Sequence, residues 1–440
     1  MGQPDHTRTV TGARLRALFS GDGHLAVARR MASTTFLLRA GNAGLALVLQ
    51  VLLARWMGAH QYGLYAYAWV WVLLGGGLAG VGLSAAAQRL IPEYKDRGQD
   101  GHLLGFARGG AALAILISAM VSLAAAFLVE RHAGPELRLP LLLACACIPV
   151  FVAIDFQEGI ARAHHWAGLA YVPAYLAQPL LILLVASGLA AAGWMLDAAV
   201  LLGLSFASLL LCWLVQWILL RGRLRSRGVV RSFEPAAWLS MAWPLLLMNG
   251  FYLLLTYVDV LVMERFVPAS EIARYFAAAK LMSVMSFIMF AVQAASAARF
   301  AEYHVQGDRE RLSAFARTCR RWTLWPSLAV ALGLLAAGWP LLWLFGPDFT
   351  SAFYLLPLIA AGLLARAAAG PVEPLLAMAG QQKAAAAIAA LALLLNLVMN
   401  LLLVPRYGAG GAVVATSLTL ALQSGALVAL VRRRLGIALV

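Results

Sequence analysis

Twelve apolar stretches, each roughly long enough to cross a bilayer, run through this chain and leave few folds open. They fall at about 33–53, 63–87, 108–129, 139–160, 168–191, 198–220, 237–262, 271–296, 322–345, 351–379, 384–404 and 410–431. In hydrocarbon, backbone N–H and C=O groups find no water. A spanning segment must therefore satisfy them itself, as a helix or in a closed barrel. The stretches lack the short alternating pattern of barrel strands. Only 12% of the residues are charged, about half the share in a soluble domain. The expected fold class is all-α: a polytopic membrane protein of about 12 transmembrane helices. Pro347, Pro357, Pro371 and Pro374 interrupt the ninth and tenth stretches, where boundaries are hardest to draw.

The net charge of +15 suggests a nucleic-acid partner until its placement is examined. With both termini on one side, the segments on that side hold 25 of the 34 Lys and Arg residues. The opposite side holds 6, and Arg39, Lys280 and Arg366 lie inside spans. That bias is the positive-inside rule, and it predicts cytoplasmic termini with no role in nucleic-acid binding. Residues 1–32 carry five arginines and no apolar core, so they read as a cytoplasmic tail and not a cleaved signal.

Part of the chain repeats. Arg55, Trp56, Ala59, Tyr65 and Arg89 recur 210 residues later as Arg265, Phe266, Ala269, Tyr275 and Arg299. One deletion further on, Glu93-Tyr94 recurs as Glu302-Tyr303, and Phe106-Ala107-Arg108 as Phe315-Ala316-Arg317. The expected organisation is a tail (1–32), a six-helix lobe (33–220), an Arg-rich cytoplasmic linker (221–236), a second six-helix lobe (237–431) and a short tail (432–440). An even number of spans brings both lobes in from the same side, which puts a pseudo-twofold axis along the membrane normal. Paired halves in a membrane protein place the substrate path between them.

Polar residues inside spans are the candidates for that path, because they are costly in lipid and usually face a cavity or a partner. Thr35, Arg39, Asn42 and Gln50 lie on the first span, within a stripe ~80° wide. Asn249, Tyr252, Thr256 and Asp259 form a similar stripe on the seventh. Asn249 is the 210-shifted counterpart of Arg39. A shared central cavity fits both stripes, and so does direct pairing of Arg39 with Asp259. Lys280 stands mid-span with few carboxylates nearby in sequence. Arg366 and Glu373 share a face beside Gly370, Pro371 and Pro374, as an internal ion pair or as a transport element at a broken helix. Asp155 and Glu158 sit one turn apart near a span end, either carrying a coupling ion or simply solvated. Tyr171, Tyr175 and Gln178 make one more stripe, suited to interface anchoring or to sugar stacking.

Other chemistries have no foothold. Cys145, Cys147, Cys212 and Cys319 suggest neither a disulfide framework nor a metal site. Adjacent His164 and His165 cannot easily share a metal. Phosphate-loop, nucleophile-elbow and zinc-protease motifs are absent from the sequence. The chain reads as a non-enzyme that needs no cofactor.

Several motifs carry a resemblance. Gly58-x-x-x-Tyr62-Gly63-x-Tyr65 follows the first span, with Glu271-Ile272-Ala273-Arg274-Tyr275 as its second-half counterpart. Near the end stand Asn396-Leu397-x-x-Asn400, then Pro405-Arg406-Tyr407-Gly408, and Gly411-Ala412 to Ala415-Thr416. Over about residues 25–431 the chain resembles bacterial polysaccharide flippases of the O-antigen type. These belong with the multidrug/oligosaccharidyl-lipid/polysaccharide exporters. The resemblance implies two lobes working by alternating access in the bacterial inner membrane. It implies a lipid-linked oligosaccharide as substrate, other polysaccharide assembly proteins such as a polymerase as partners, and a cationic cavity for the diphosphate, carried here onto Arg39 and Lys280. Lipid II flippases of the same superfamily typically have more spans, so twelve argues against that branch. An ion-coupled multidrug antiporter is the alternative; it would need acidic cavity residues to dominate.

Overall fold

A computed structural model describes residues 24–224, 230 and 232–437; the side chains of 24–37, 39, 40 and 248 lie outside that description. All regular structure among the described residues is helical. Ten candidate spans satisfy length and composition, counting three bent helix pairs as one span each. Two of the helical stretches are too long for a single crossing. His24–Ala79 has 56 residues and Gln382–Leu435 has 54; either would run about 80 Å if straight. Each breaks at a glycine with positive φ: Gly58 (75°) and Gly408 (56°). Dividing the chain at these two points leaves twelve helical segments among the described residues, each overlapping one of the expected spans.

We number the helices in chain order. The first half contains α1 (24–57), α2 (59–79), α3 (Leu83–Asp96), α4 (Asp100–His132), α5 (Pro135–Ala163), α6 (Ala167–Ala191) and α7 (Ala198–Arg223). The second contains α8 (Pro235–Phe266), α9 (Ala269–Met282), α10 (Met285–Val305), α11 (Arg309–Ala336), α12 (Gly338–Phe345), α13 (Leu355–Ala369), α14 (Val372–Met378), α15 (382–407) and α16 (409–435). The ends of these helices follow local rules. Pro135 and Pro235 open α5 and α8, at positions where a missing N–H costs nothing. Asp197 and Asp308 cap α7 and α11, accepting from the N–H of Val200 (2.7 Å) and Arg311 (3.0 Å).

One expected span ends early. The apolar run 63–87 predicted continuous helix, but α2 stops at Ala79 and α3 starts afresh at Leu83. Val81 and Gly82 take φ of 50° and 73°. The reason is tertiary: a Cβ on Gly82 would come within 2.5 Å of the Ala242 carbonyl oxygen on α8. Hydropathy cannot register such a contact. Likewise α8 bends by 41° between Leu247 and Asn249, and α9 meets α10 at 43°.

The lobes meet along α2. Gly63 lets α2 press against the start of α9, where a Cβ would come within 1.8 Å of the Ala269 carbonyl oxygen. Ala269 is the repeat counterpart of Ala59, so equivalent parts of the two halves meet at this crossing. Tyr62 is fully buried here. Its ring packs edge-on against Phe276 (6.3 Å) and Phe349 (5.9 Å) of the second half, and its hydroxyl donates to Gln50 at 2.7 Å. We call this the far end. The opposite end, bearing Arg97, Arg221 and Arg309, we call the basic end. There the segment before α8 lies on the first lobe: Ser232 N–H donates to the Gly101 carbonyl (3.1 Å), and Trp238 packs edge-on against Phe106.

Candidate functional site

A cavity of about 220 Å³ opens inside the second half, between α8, α9, α13, α14 and α16. Tyr252, Thr256 and Asp259 line it from α8, and all of its lining residues belong to the second half. Asn249 is exposed and is not among the lining residues. Arg366 and Glu373 complete the wall. Arg366 Nη2 donates to both Glu373 oxygens, at 3.1 and 3.2 Å, and the guanidinium lies 5.9 Å from the Tyr252 ring centre. These two charges therefore largely cancel. Gly370 makes their pairing geometrically possible by breaking the helix at φ 73°. The break lies against Arg320, whose Nε donates to the Ala368 carbonyl at 2.6 Å.

Asp259 is the different member of the set. It is 2% exposed. The Tyr275 hydroxyl donates to its Oδ2, and the Val260 N–H to its Oδ1 at 2.8 Å. Among the described residues it forms no ion pair. A carboxyl held only by neutral donors, in a cavity that also presents hydroxyls from Thr256, Ser283 and Thr416, is suited to taking up a small cation or a proton.

Lys280 lies elsewhere. It follows Phe276 by one turn and so shares the face that meets Tyr62 of the other lobe. It is half-buried and has no carboxylate partner among the described residues. The Arg39 side chain falls outside the description, and Asn42 is half-buried on α1. Gln50, expected on the cavity wall, is engaged by Tyr62 at the far-end lobe contact. A stripe angle alone cannot distinguish a cavity from a neighbouring helix.

Asp155 and Glu158 sit near the basic end of α5. Glu158 pairs with Arg162 at 3.6 Å, and Ser84 donates to the backbone carbonyl of Asp155 at 2.8 Å. This arrangement ties α3 to α5. Tyr171 and Tyr175 pack edge-on against each other. All four cysteines are free and buried, and no metal-binding cluster occurs among the described residues.

Sequence reasoning did not assign Tyr275, Ser283 or Thr416 to the second-half site, nor Ser286, Ser417 and Gln423, which also line it. Tyr275 was visible as a repeat partner of Tyr65 and was given no role of its own. The repeat itself held the clue, because the 210-shift sets Leu49 opposite Asp259. Tyr275 thus faces a carboxylate that the first half does not possess. Thr416 belongs to the C-terminal motif and bonds Asn396 at 3.2 Å, while Asn400 bonds Asn396 at 3.1 Å. That motif ties α15 to α16 and brings Thr416 to the cavity.

Comparison with known proteins gives two family matches. The polysaccharide biosynthesis protein family matches residues 29–304, and the MatE family matches residues 244–402. None of the curated proteins matches. Among solved structures, the lipid II flippase MurJ in its inward closed conformation is similar, with TM-score 0.73 and 15% identity over 91% of this chain and 87% of that one. An inward-facing multidrug resistance MATE family transporter of the MOP superfamily follows, with TM-score 0.67 and 14% identity over 92% and 94%. A MOP superfamily transporter from Pyrococcus furiosus, described as having a binding pocket of reverse polarity, gives 0.63 and 12% over 95% and 97%. At these identities the structural likeness establishes the two-lobe fold.

Proposed function

Because this chain belongs to the polysaccharide biosynthesis protein family, we propose that it flips an undecaprenyl-diphosphate-linked oligosaccharide across a bacterial inner membrane by alternating access. The observation that carries the reading is the family match over residues 29–304. Lys280 supports it, because an ammonium at the lobe interface without a carboxylate partner is suited to an anionic guest. A diphosphate crossing low dielectric needs compensating positive charge, which Lys280 and Arg39 together supply. The lipid tail stays in the bilayer while the glycan passes between the lobes.

The second-half cavity has a different task. At about 220 Å³ it suits a small ion better than an oligosaccharide. Asp259 is the coupling carboxylate. Arg366 and Glu373 shape the wall by pairing, and Asp155 and Glu158 brace the basic end. The Tyr62 contact with Phe276 and Phe349 is the far-end gate. The bias of 25 to 6 in basic residues supports cytoplasmic termini, hence movement from the cytoplasmic to the periplasmic leaflet for O-antigen, exopolysaccharide or capsule assembly, upstream of a polymerase.

The test is complementation. Lys280→Ala and Arg39→Ala are expected to abolish surface polysaccharide at wild-type membrane levels of the protein, and Lys280→Arg to restore it in part. Full function in both alanine variants would remove the cationic path from the account. A second reading, an ion-coupled multidrug antiporter, is favoured by the MatE match over 244–402 and by the cavity carboxylates. It predicts that the same variants change resistance to cationic drugs and leave surface polysaccharide intact.

A further inference from the structure

The repeated Phe-Ala-Arg segment has work beyond symmetry in the first lobe. Phe106 is buried against Phe156 and Trp238, and its counterpart Phe315 packs on Phe300 and Tyr303. Those rings serve the cores of both halves. The arginines differ. Arg317 lies within the continuous α-helix α11. Arg108 lies in a π-helical turn, Phe106–Gly110, inside α4. Such turns are rare and frequently mark functional sites, because the extra residue re-aims the side chains around it.

A cavity of about 340 Å³ lies beside that turn, at the basic end between α4 and α7, with α5 as its floor. Arg108 lines one wall. Arg221 lines the other, its guanidinium over the Trp217 ring at 5.2 Å. Neither arginine forms an ion pair among the described residues. Gln157 lines the floor; it is 6% exposed, and its Oε1 is buried without a hydrogen-bond partner. The remaining walls are apolar, including Ala111, Ile160 and Leu220. Just along α7 from this cavity, Leu214, Trp217 and Ile218 are exposed as expected of a lipid-facing surface.

The geometry points to a binding site for the phosphate headgroup of an anionic membrane phospholipid, held between Arg108 and Arg221 on the outer flank of the first lobe. Two guanidiniums on one cavity match a phosphodiester, which accepts several hydrogen bonds and carries the compensating charge, and the unpartnered Gln157 Oε1, an acceptor, matches a headgroup hydroxyl that donates. The cavity sits at the end of apolar spans, at headgroup depth, and its apolar walls continue toward the acyl region. Basic pockets between transmembrane helices recognise anionic headgroups in this way. The site is separate from the interface bearing Lys280 and does not depend on the flippase reading.

The test uses the full purified chain exchanged into phosphatidylglycerol, into phosphatidylcholine, or into detergent with inorganic phosphate, with retained lipid counted by native mass spectrometry. The wild type is expected to retain phosphatidylglycerol selectively. Arg108→Gln combined with Arg221→Gln is expected to weaken that retention about thirtyfold, while Arg317→Gln leaves it unchanged. Equal retention of both lipids by the wild type would overturn the site. So would undiminished selectivity in the double variant, or displacement of the lipid by millimolar inorganic phosphate. A photoreactive phosphatidylglycerol given to the unaltered chain provides a readout independent of how the variants fold. Cross-links are expected within 104–111 and 217–224, and labelling spread evenly over the lipid-facing helices would equally overturn the assignment.

Discussion

At the scale of single residues, two kinds of position matter, and the sequence revealed only one of them. Charged residues inside spans stand out in any reading, so Asp259, Lys280, Arg366 and Glu373 were legible. Spacing suggested that Arg366 and Glu373 share a face of one helix; they do pair, but across the break at Gly370 that separates α13 from α14. Glycines at close approaches were not legible, because the atom that requires them belongs to a distant helix. Gly63 is such a case, with its would-be Cβ almost on the Ala269 oxygen. Gly63→Ala is expected to force α2 from α9 and lower stability by about 1–3 kcal/mol, measured as a fall in thermal midpoint of the detergent-solubilised protein. An unchanged midpoint would mean that the crossing is not tight. Tyr275→Phe deletes the hydroxyl that serves Asp259. It is expected to impair ion-coupled transport more than protein abundance, and parallel losses in transport and abundance would make Tyr275 purely structural.

At the scale of elements, each expected apolar run falls on a helix, and several helix ends lie elsewhere than hydropathy put them. The ends depend on caps and breaks that other elements supply. The clearest example is the turn from α15 to α16, where Glu271 of α9 reaches across so that its Oε1 accepts the Ala409 N–H at 2.7 Å. That one carboxylate caps a helix more than a hundred positions away, and no local pattern announces it. Glu271→Ala is expected to cost about 1–2 kcal/mol. Glu271→Gln, which keeps an acceptor oxygen, should cost less. Equal effects of the two in a thermal denaturation series would contradict the capping role. Asn396 and Asn400 illustrate the opposite case. Buried amides in a span need partners, so their presence already implied a helix neighbour, and α16 supplies it through Thr416. Asn396→Ala should cost about 0.6–1.7 kcal/mol, the usual worth of such a contact within a membrane.

At the scale of the whole molecule, the repeat foretold two lobes, and its breaks mark the candidate site. Where the halves agree, as at Phe106 and Phe315, the residues pack the lobes. Where they disagree, as Asp259 against Leu49 and Lys280 against Val70, one lobe has gained a charge. The central claim is that these charges serve a lobe-rocking cycle that carries a lipid-linked glycan. A cysteine pair replacing Tyr62 and Phe276, whose rings meet across the lobes, is expected to halt transport when oxidised and release it when reduced. The most direct test reconstitutes the full chain in vesicles that contain an undecaprenyl-diphosphate oligosaccharide and follows the leaflet of the glycan with an impermeant glycan-modifying enzyme. The account predicts that wild-type protein exposes glycan from the protected leaflet and that Lys280→Ala does not. Glycan that stays in its starting leaflet in wild-type vesicles, while a cationic dye crosses, would contradict it.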